Sequence, residues 1–133
     1  MTVTPRDYLD SALEMSAGQN EITLRNAVSR FYYGAYHVCL EFADHQNLGH
    51  PDCNNKPSSH ENLICRMRKS RITGIESIVR LFDICKKRRV KADYKLKQTI
   101  SKEDEENQRI DCFRILQKVT NLTNTIEDDQ RSG

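Results

Sequence analysis

An arginine and a histidine at the right spacing on a helix can cut a phosphodiester without a metal. Arg30 and His37 are seven residues apart. On an α-helix that interval leaves two side chains about 20° apart around the axis and about 10 Å apart along it. Asn26, Arg30, Tyr33, His37 and Glu41 follow one another at intervals of four, three, four and four residues, which puts all five in one stripe. A phosphate between Arg30 and His37 would meet a guanidinium fork that grips its oxygens and steadies developing charge. It would also meet an imidazole that takes or gives a proton near neutral pH. Metal-free RNA cleavage needs such parts: a base for the 2′-hydroxyl, positive charge at the phosphorane and an acid for the 5′-oxygen. Glu41, one turn beyond His37, is placed to orient the imidazole or raise its pKa. Tyr33 is placed to donate a hydrogen bond or stack on a base. One helix supplies one His, and a symmetric dimer apposing two stripes supplies two. The plain alternative is a solvated face, with Arg30 paired to Glu41 or to an acidic residue of the last helix. Phe31, Tyr32, Tyr33 and Tyr36 read as core and dimer surface before they read as a base-stacking platform.

The carrier of these residues is the clearest helix in the chain. From about Glu21 to Asp44, Leu24, Ala27, Val28, Phe31, Ala35, Val38, Cys39 and Phe42 follow the i, i+3, i+4, i+7 template, with no proline and one glycine, Gly34. Before it, Thr4 and Pro5 predict the start of a first helix that ends at Gly18 to Asn20. Residues 45–59 are polar and rich in turn formers, a loop. Ser58 and Glu61 form a plausible capping box for a third helix over Ser59 to about Lys69, broken near Ser70 to Gly74. A continuation runs from about Gly74 to Arg89, and Val90 to Ile100 reads as an extended connection. Ser101 caps a last helix whose positive end Glu103, Asp104, Glu105 and Glu106 favour. Ile110, Phe113, Leu116, Val119, Leu122 and Ile126 form its apolar side, and residues 127–133 read as a frayed tail. The expectation is one all-α domain over residues 1–133, a four- to five-helix up-and-down bundle with its core at about 5–126.

Composition agrees with one small helical domain. The 133 residues are 37% hydrophobic and 30% charged, lean but sufficient for a bundle with charged outer faces. Five glycines, three prolines and no tryptophan argue against a many-turned β-sandwich. A net charge of +2 is too mild to declare nucleic-acid binding, so local patches matter more. No apolar stretch approaches the roughly 20 residues that cross a bilayer, and MTVTPRDYLD lacks a signal pattern. A cytoplasmic location is expected. Cys39, Cys85 and Cys112 sit among helical apolar residues and read as reduced core fillers.

The run Arg25-Asn26-Ala27-Val28-Ser29-Arg30-Phe31-Tyr32-Tyr33-Gly34-Ala35-Tyr36-His37 resembles the HEPN superfamily, the higher eukaryotes and prokaryotes nucleotide-binding domains. It is most similar to small stand-alone prokaryotic members with an S-R-x-Y-Y-A-x-[FY]-H signature, Gly34 standing for the usual Ala. Arg30-x6-His37 fits the R-x4-6-H motif of its ribonucleases. Arg89-Val90-Lys91-Ala92-Asp93-Tyr94 resembles the R-x-x-A-D-Y segment before the last helix of that subgroup, and His60 a His that often opens the helix after the loop. The resemblance implies a dimeric bundle with the two R-x6-H helices meeting across a cleft. It implies a metal-independent endoribonuclease that leaves 2′,3′-cyclic phosphate ends, a toxin or phage-defence effector with no cofactor. Arg30 and His37 would be its catalytic residues and RNA its substrate. A nucleotidyltransferase antitoxin or another defence protein is the implied partner. Members that have lost activity serve as binding or scaffold modules, so the alternative is a catalytically silent module that binds such a partner or nucleic acid. Cys39 stands two residues after His37, so the variant motif in which a modified Tyr occupies that place is not supported.

Two basic clusters, one around Arg66 and Arg68 and one with Lys86, Lys87, Arg88 and Arg89, could track an RNA backbone or form solvated faces. His45, His50, Cys53, His60 and Cys65 match no standard zinc spacing and read as a surface loop plus a helix-opening His. No Gly-rich phosphate loop, G-x-S-x-G or H-E-x-x-H is present. No metal site is expected.

Overall fold

Thr4 begins the fold as the sequence predicts. Its hydroxyl accepts from the Asp7 amide at 3.2 Å, and the Asp7 carboxylate accepts from the Thr4 amide at 2.7 Å. This box, with Pro5 at the first helical position, opens α1, Pro5–Ser16. The computed structural model describes residues 2–18 and 20–132. Within them follow α2 (Glu21–His45), α3 (Ser59–Lys69), α4 (Ile75–Tyr94) and α5 (Lys102–Ser132), with a 3-10 turn at Pro51–Cys53. No strand occurs among the described residues, and the protein is an all-α, five-helix bundle. Among the described residues, no helix is long and apolar enough to cross a membrane.

Helix α2 is the axis of the bundle: α1, α3, α4 and α5 all pack on it. Leu24, Ala27, Val28, Phe31, Ala35, Val38, Cys39 and Phe42 are buried, as their periodicity predicts. Phe31 and Phe82 are fully buried beside Leu9, Leu63, Met67, Ile78 and Ile115. Cys39, Cys85 and Cys112 are free, buried thiols, with the last two sulfurs 3.6 Å apart. Gly34 lets α1 approach closely. A Cβ there would lie 2.5 Å from Leu9 Cδ2 and 2.8 Å from its Cγ.

Several boundaries differ from the sequence reading. Helix α4 continues through Tyr94, where an extended connection was expected from Val90. The cause lies in α2. Arg25, nearly fully buried, donates to the carbonyls of Ala92 at 2.8 Å, Lys91 at 3.3 Å and Lys95 at 3.5 Å, and to that of Gln98. A guanidinium fork at carbonyls that end a helix satisfies acceptors that would otherwise be orphaned. Helix α5 likewise continues through Ser132 instead of fraying from residue 127, with Arg131 pairing to Glu127 at 3.7 Å and to Asp128 at 3.4 Å; Gly133 lies outside the described residues. Ser58 caps α3 by accepting from the Glu61 amide at 3.1 Å, one half of the expected box. Ser101 and Asp104 form a complete one on α5. Glu105, one of the four acidic residues expected to favour that helix end, is fully buried. Its carboxylate contacts Lys102 Nζ at 3.0 Å as a charge pair without hydrogen-bond alignment. Cys53 and Cys65, 12 residues apart, form a disulfide that pins the loop to α3. Asn62 and Arg66 reinforce that link by donating to the Cys53 and Leu48 carbonyls at 2.7 and 2.8 Å.

Candidate active site

The two sequence motifs meet in space. Along α2, Arg25, Ser29 and Tyr33 recur every four residues and face the end of α4. Arg25 holds the carbonyls described above, Ser29 Oγ donates to Asp93 at 3.1 Å, and Tyr33 Oη accepts from Arg89 Nη2 at 2.7 Å. Arg89 also donates through Nε to Asp93 at 2.8 Å. Its guanidinium carbon lies 5.2 Å from the Tyr33 ring centre and 5.3 Å from that of Tyr94. Burial works against its charge, but Tyr33, Asp93 and Tyr94 outweigh burial and hold its pKa above the ordinary value. Much of the 25–37 run is therefore a clamp on α4, and Tyr33 belongs to that clamp.

The rest of the stripe reaches the surface. Asn26, Arg30 and Glu41 are exposed and His37 is half-buried. Arg30 borders a recess of about 300 Å³ whose other walls include Asp7, Tyr8 and Ser11 of α1. It forms no ion pair among the described residues, so neither anticipated partner, Glu41 or an acidic residue of α5, neutralises it. The His37 ring lies between two tyrosines, 4.9 Å from Tyr8 and 5.2 Å, edge-on, from Tyr36. No described residue is hydrogen-bonded to either ring nitrogen. Glu41 does not orient His37 as expected. It faces a different groove of about 650 Å³, with Arg6, Phe42 and Leu116. The reason is helical drift: a row at three- and four-residue intervals turns about 20° per heptad, so its ends diverge. Tyr33 leans toward α4 and Glu41 toward α1 and α5.

The basic clusters are largely committed elsewhere. Arg66 pairs with Asp44 at 2.8 Å, Arg68 with Glu76 at 3.0 Å, Arg88 with Asp111 at 2.7 Å and Arg89 with Asp93 at 2.8 Å. Lys86 and Lys87 form no ion pair among the described residues; Lys87 is exposed and Lys86 half-buried.

His60 opens α3 just after its cap, but it faces inward. Its ring is buried 4.3 Å from that of Phe82, with Nε2 3.0 Å from Asp83 Oδ1 and Nδ1 2.8 Å from Tyr32 Oη. A neutral ring satisfies both contacts when Nε2–H donates to Asp83 and Nδ1 accepts the Tyr32 proton. Burial lowers its pKa against the opposing hydrogen bond to Asp83, and burial raises that of Tyr32. The sequence held a signal for this. His60, Leu63, Ile64 and Met67 stand at i, i+3, i+4 and i+7, so His60 shares the core face.

Among the described residues no group of three or more His, Cys, Asp or Glu side chains is arranged to hold a metal ion. No family model, no curated protein and no solved structure matches the chain.

Proposed function

We propose that this protein is a metal-independent endoribonuclease of the HEPN type, a toxin or defence effector that acts as a homodimer. Arg30 would hold the scissile phosphate and His37 would move the proton. The observation that carries the reading is the state of the stripe on α2. The most enclosed helix of the bundle keeps an unpaired guanidinium and an accessible imidazole on one face, seven residues apart. A buried axis exposes such a pair at the expense of apolar cover, and a phosphate is the ligand that uses both groups. The imidazole, flanked by Tyr8 and Tyr36, is positioned by ring packing and needs an anionic partner to direct its proton.

A second reading, a catalytically silent module of the same type that binds a nucleotidyltransferase partner or nucleic acid, has one observation in its favour. No described group hydrogen-bonds His37 to fix its tautomer, as a dedicated general acid or base usually requires. Purified protein incubated with total RNA in EDTA separates the two. Cleavage leaving 2′,3′-cyclic phosphate ends is expected from wild type. Arg30→Ala and His37→Ala are each expected to lose about 10²-fold or more in rate. Inert wild type, or variants that cut as well as wild type, would remove the ribonuclease reading.

A further inference from the structure

On the α4 side of the stripe lies a second recess, about 280 Å³, lined by Tyr33, Tyr36, Ser58, Ser59, Lys86 and Arg89, with Tyr32 and His60 also contributing to its wall. Its chemistry is that of an anion site. No carboxylate lines it: Asp83 and Asp93 hold His60 and Arg89 but are not part of its wall. The Lys86 ammonium forms no ion pair or hydrogen bond among the described residues. Arg89 is fixed by Asp93 through Nε and by Tyr33 through Nη2, while its Nη1 has no hydrogen-bond partner among the described residues. A guanidinium held rigid with a donor to spare loses little freedom on binding. The Tyr36 and Ser59 hydroxyls add neutral donors. The wall behind them is stiff, because the Tyr32–His60–Asp83 chain ties α2, α3 and α4 together.

The recess also adjoins the proposed cleavage site. Tyr33 is three residues beyond Arg30 on α2, and the Tyr36 ring that lines the recess touches His37 edge-on at 5.2 Å. We infer that this recess binds a phosphodiester of single-stranded RNA, on the strand that Arg30 and His37 engage, with Lys86 and Arg89 as its cationic groups. The placement on that strand rests on the ribonuclease reading; the phosphodiester site itself does not. Lys86 and Arg89 would set how the strand lies across α2, and Tyr36 would mark the passage from one phosphate to the next.

The test is equilibrium binding of a fluorescent 2′-O-methyl RNA oligonucleotide, which lacks the nucleophilic hydroxyl and stays intact, in EDTA across a salt series. Wild type is expected to bind. Lys86→Ala should weaken binding severalfold and flatten the slope of log affinity against log salt by about 0.7, the loss of one single-strand phosphate contact. Arg89→Lys, which keeps the charge and loses the fork, should weaken binding with the slope unchanged. Lys118→Ala on α5, with the same change of charge, should have less effect than Lys86→Ala. Circular dichroism melts identify any variant that fails to fold, and Lys86→Gln then replaces Lys86→Ala. A wild type that does not bind, or equal effects of the Lys86 and Lys118 changes, overturns the inference. Parallel cleavage of unmodified RNA keeps the two ideas apart. Binding through Lys86 without cleavage removes the ribonuclease reading and leaves the recess. Cleavage by wild type, with Lys86→Ala leaving both binding and cleavage unchanged, does the reverse.

Discussion

His60 shows how a residue's chemistry follows its surroundings. Burial against Phe82 keeps its pKa below the ordinary value, although Asp83 pulls the other way and Lys86 adds to the lowering. Below about pH 6.5 the unfolded chain therefore takes up a proton that the folded chain resists. The stability from this site is whole above that pH and is lost as pH falls through the folded-state pKa. Glu76 and Asp104, whose carboxyls Arg68 and the Ser101 amide hold below the usual range, lose their contributions only at lower pH. Wild type is thus expected to lose melting temperature between pH 7 and pH 5, and His60→Gln to lose less over that interval whatever its starting stability. Equal slopes for the two proteins would mean that His60 is not the group that titrates. At this scale the sequence was uneven. Arg30 and His37 were legible as a candidate pair because helical spacing alone aligns them, though spacing does not say that Arg30 is exposed while His37 is half-buried between Tyr8 and Tyr36. Arg25, Ser29 and Tyr33 were harder, since their partners lie more than 50 residues away and spacing within one helix says nothing about those.

Elements were more legible than contacts. Capping residues and apolar periodicity located all five helices, because both signals are local. The late end of α4 has a tertiary cause, Arg25 holding its last carbonyls, and that of α5 a local one, the pairs of Arg131 with Glu127 and Asp128; the Cys53–Cys65 bond in turn fixes a loop that composition alone leaves free. The α1–α2 crossing is a further case. The family signature that this chain resembles has Ala where Gly34 stands, and the change looks trivial in sequence. In the structure Leu9, fully buried, occupies the space a Cβ would need. Gly34→Ala gains about 1 kcal/mol of helix propensity and meets an overpacking cost of about 1–3 kcal/mol. A net loss of stability is expected in urea unfolding. Leu9→Ala removes a fully buried side chain and costs stability on its own, but the double variant should lose less than the sum of the two single losses, since the two side chains contend for one volume. An unchanged or higher midpoint for Gly34→Ala alone would show that α1 yields without cost. Because α1 carries Tyr8 against His37, displacement of α1 should, on the proposed ribonuclease reading, also lower cleavage.

At the scale of the whole molecule, the proposed ribonuclease reading turns on whether one chain would complete the chemistry. A single protomer offers one imidazole on the stripe, while cleavage by an acid and a base calls for two proton-transfer groups at one phosphate. Glu41 cannot serve as the second, because it faces another groove. His60 cannot either, being buried with both ring nitrogens engaged. Pairing two α2 faces about a two-fold axis would bring a second His37 and a second Arg30 to the same cleft. Interference between chains is then expected. When wild type exchanges subunits with a large excess of His37→Ala, most wild-type chains should enter mixed dimers holding a single His37. If both imidazoles act on one phosphate, cleavage per wild-type chain should fall toward that of the variant as the excess grows. If each chain carries a complete site, activity per wild-type chain should stay constant. The same titration with Lys118→Ala, which keeps both stripe residues, should leave it constant in either case. Loss of activity with His37→Ala alone would place the reaction between two chains, and a flat response would return it to one, with water or substrate supplying the second proton transfer.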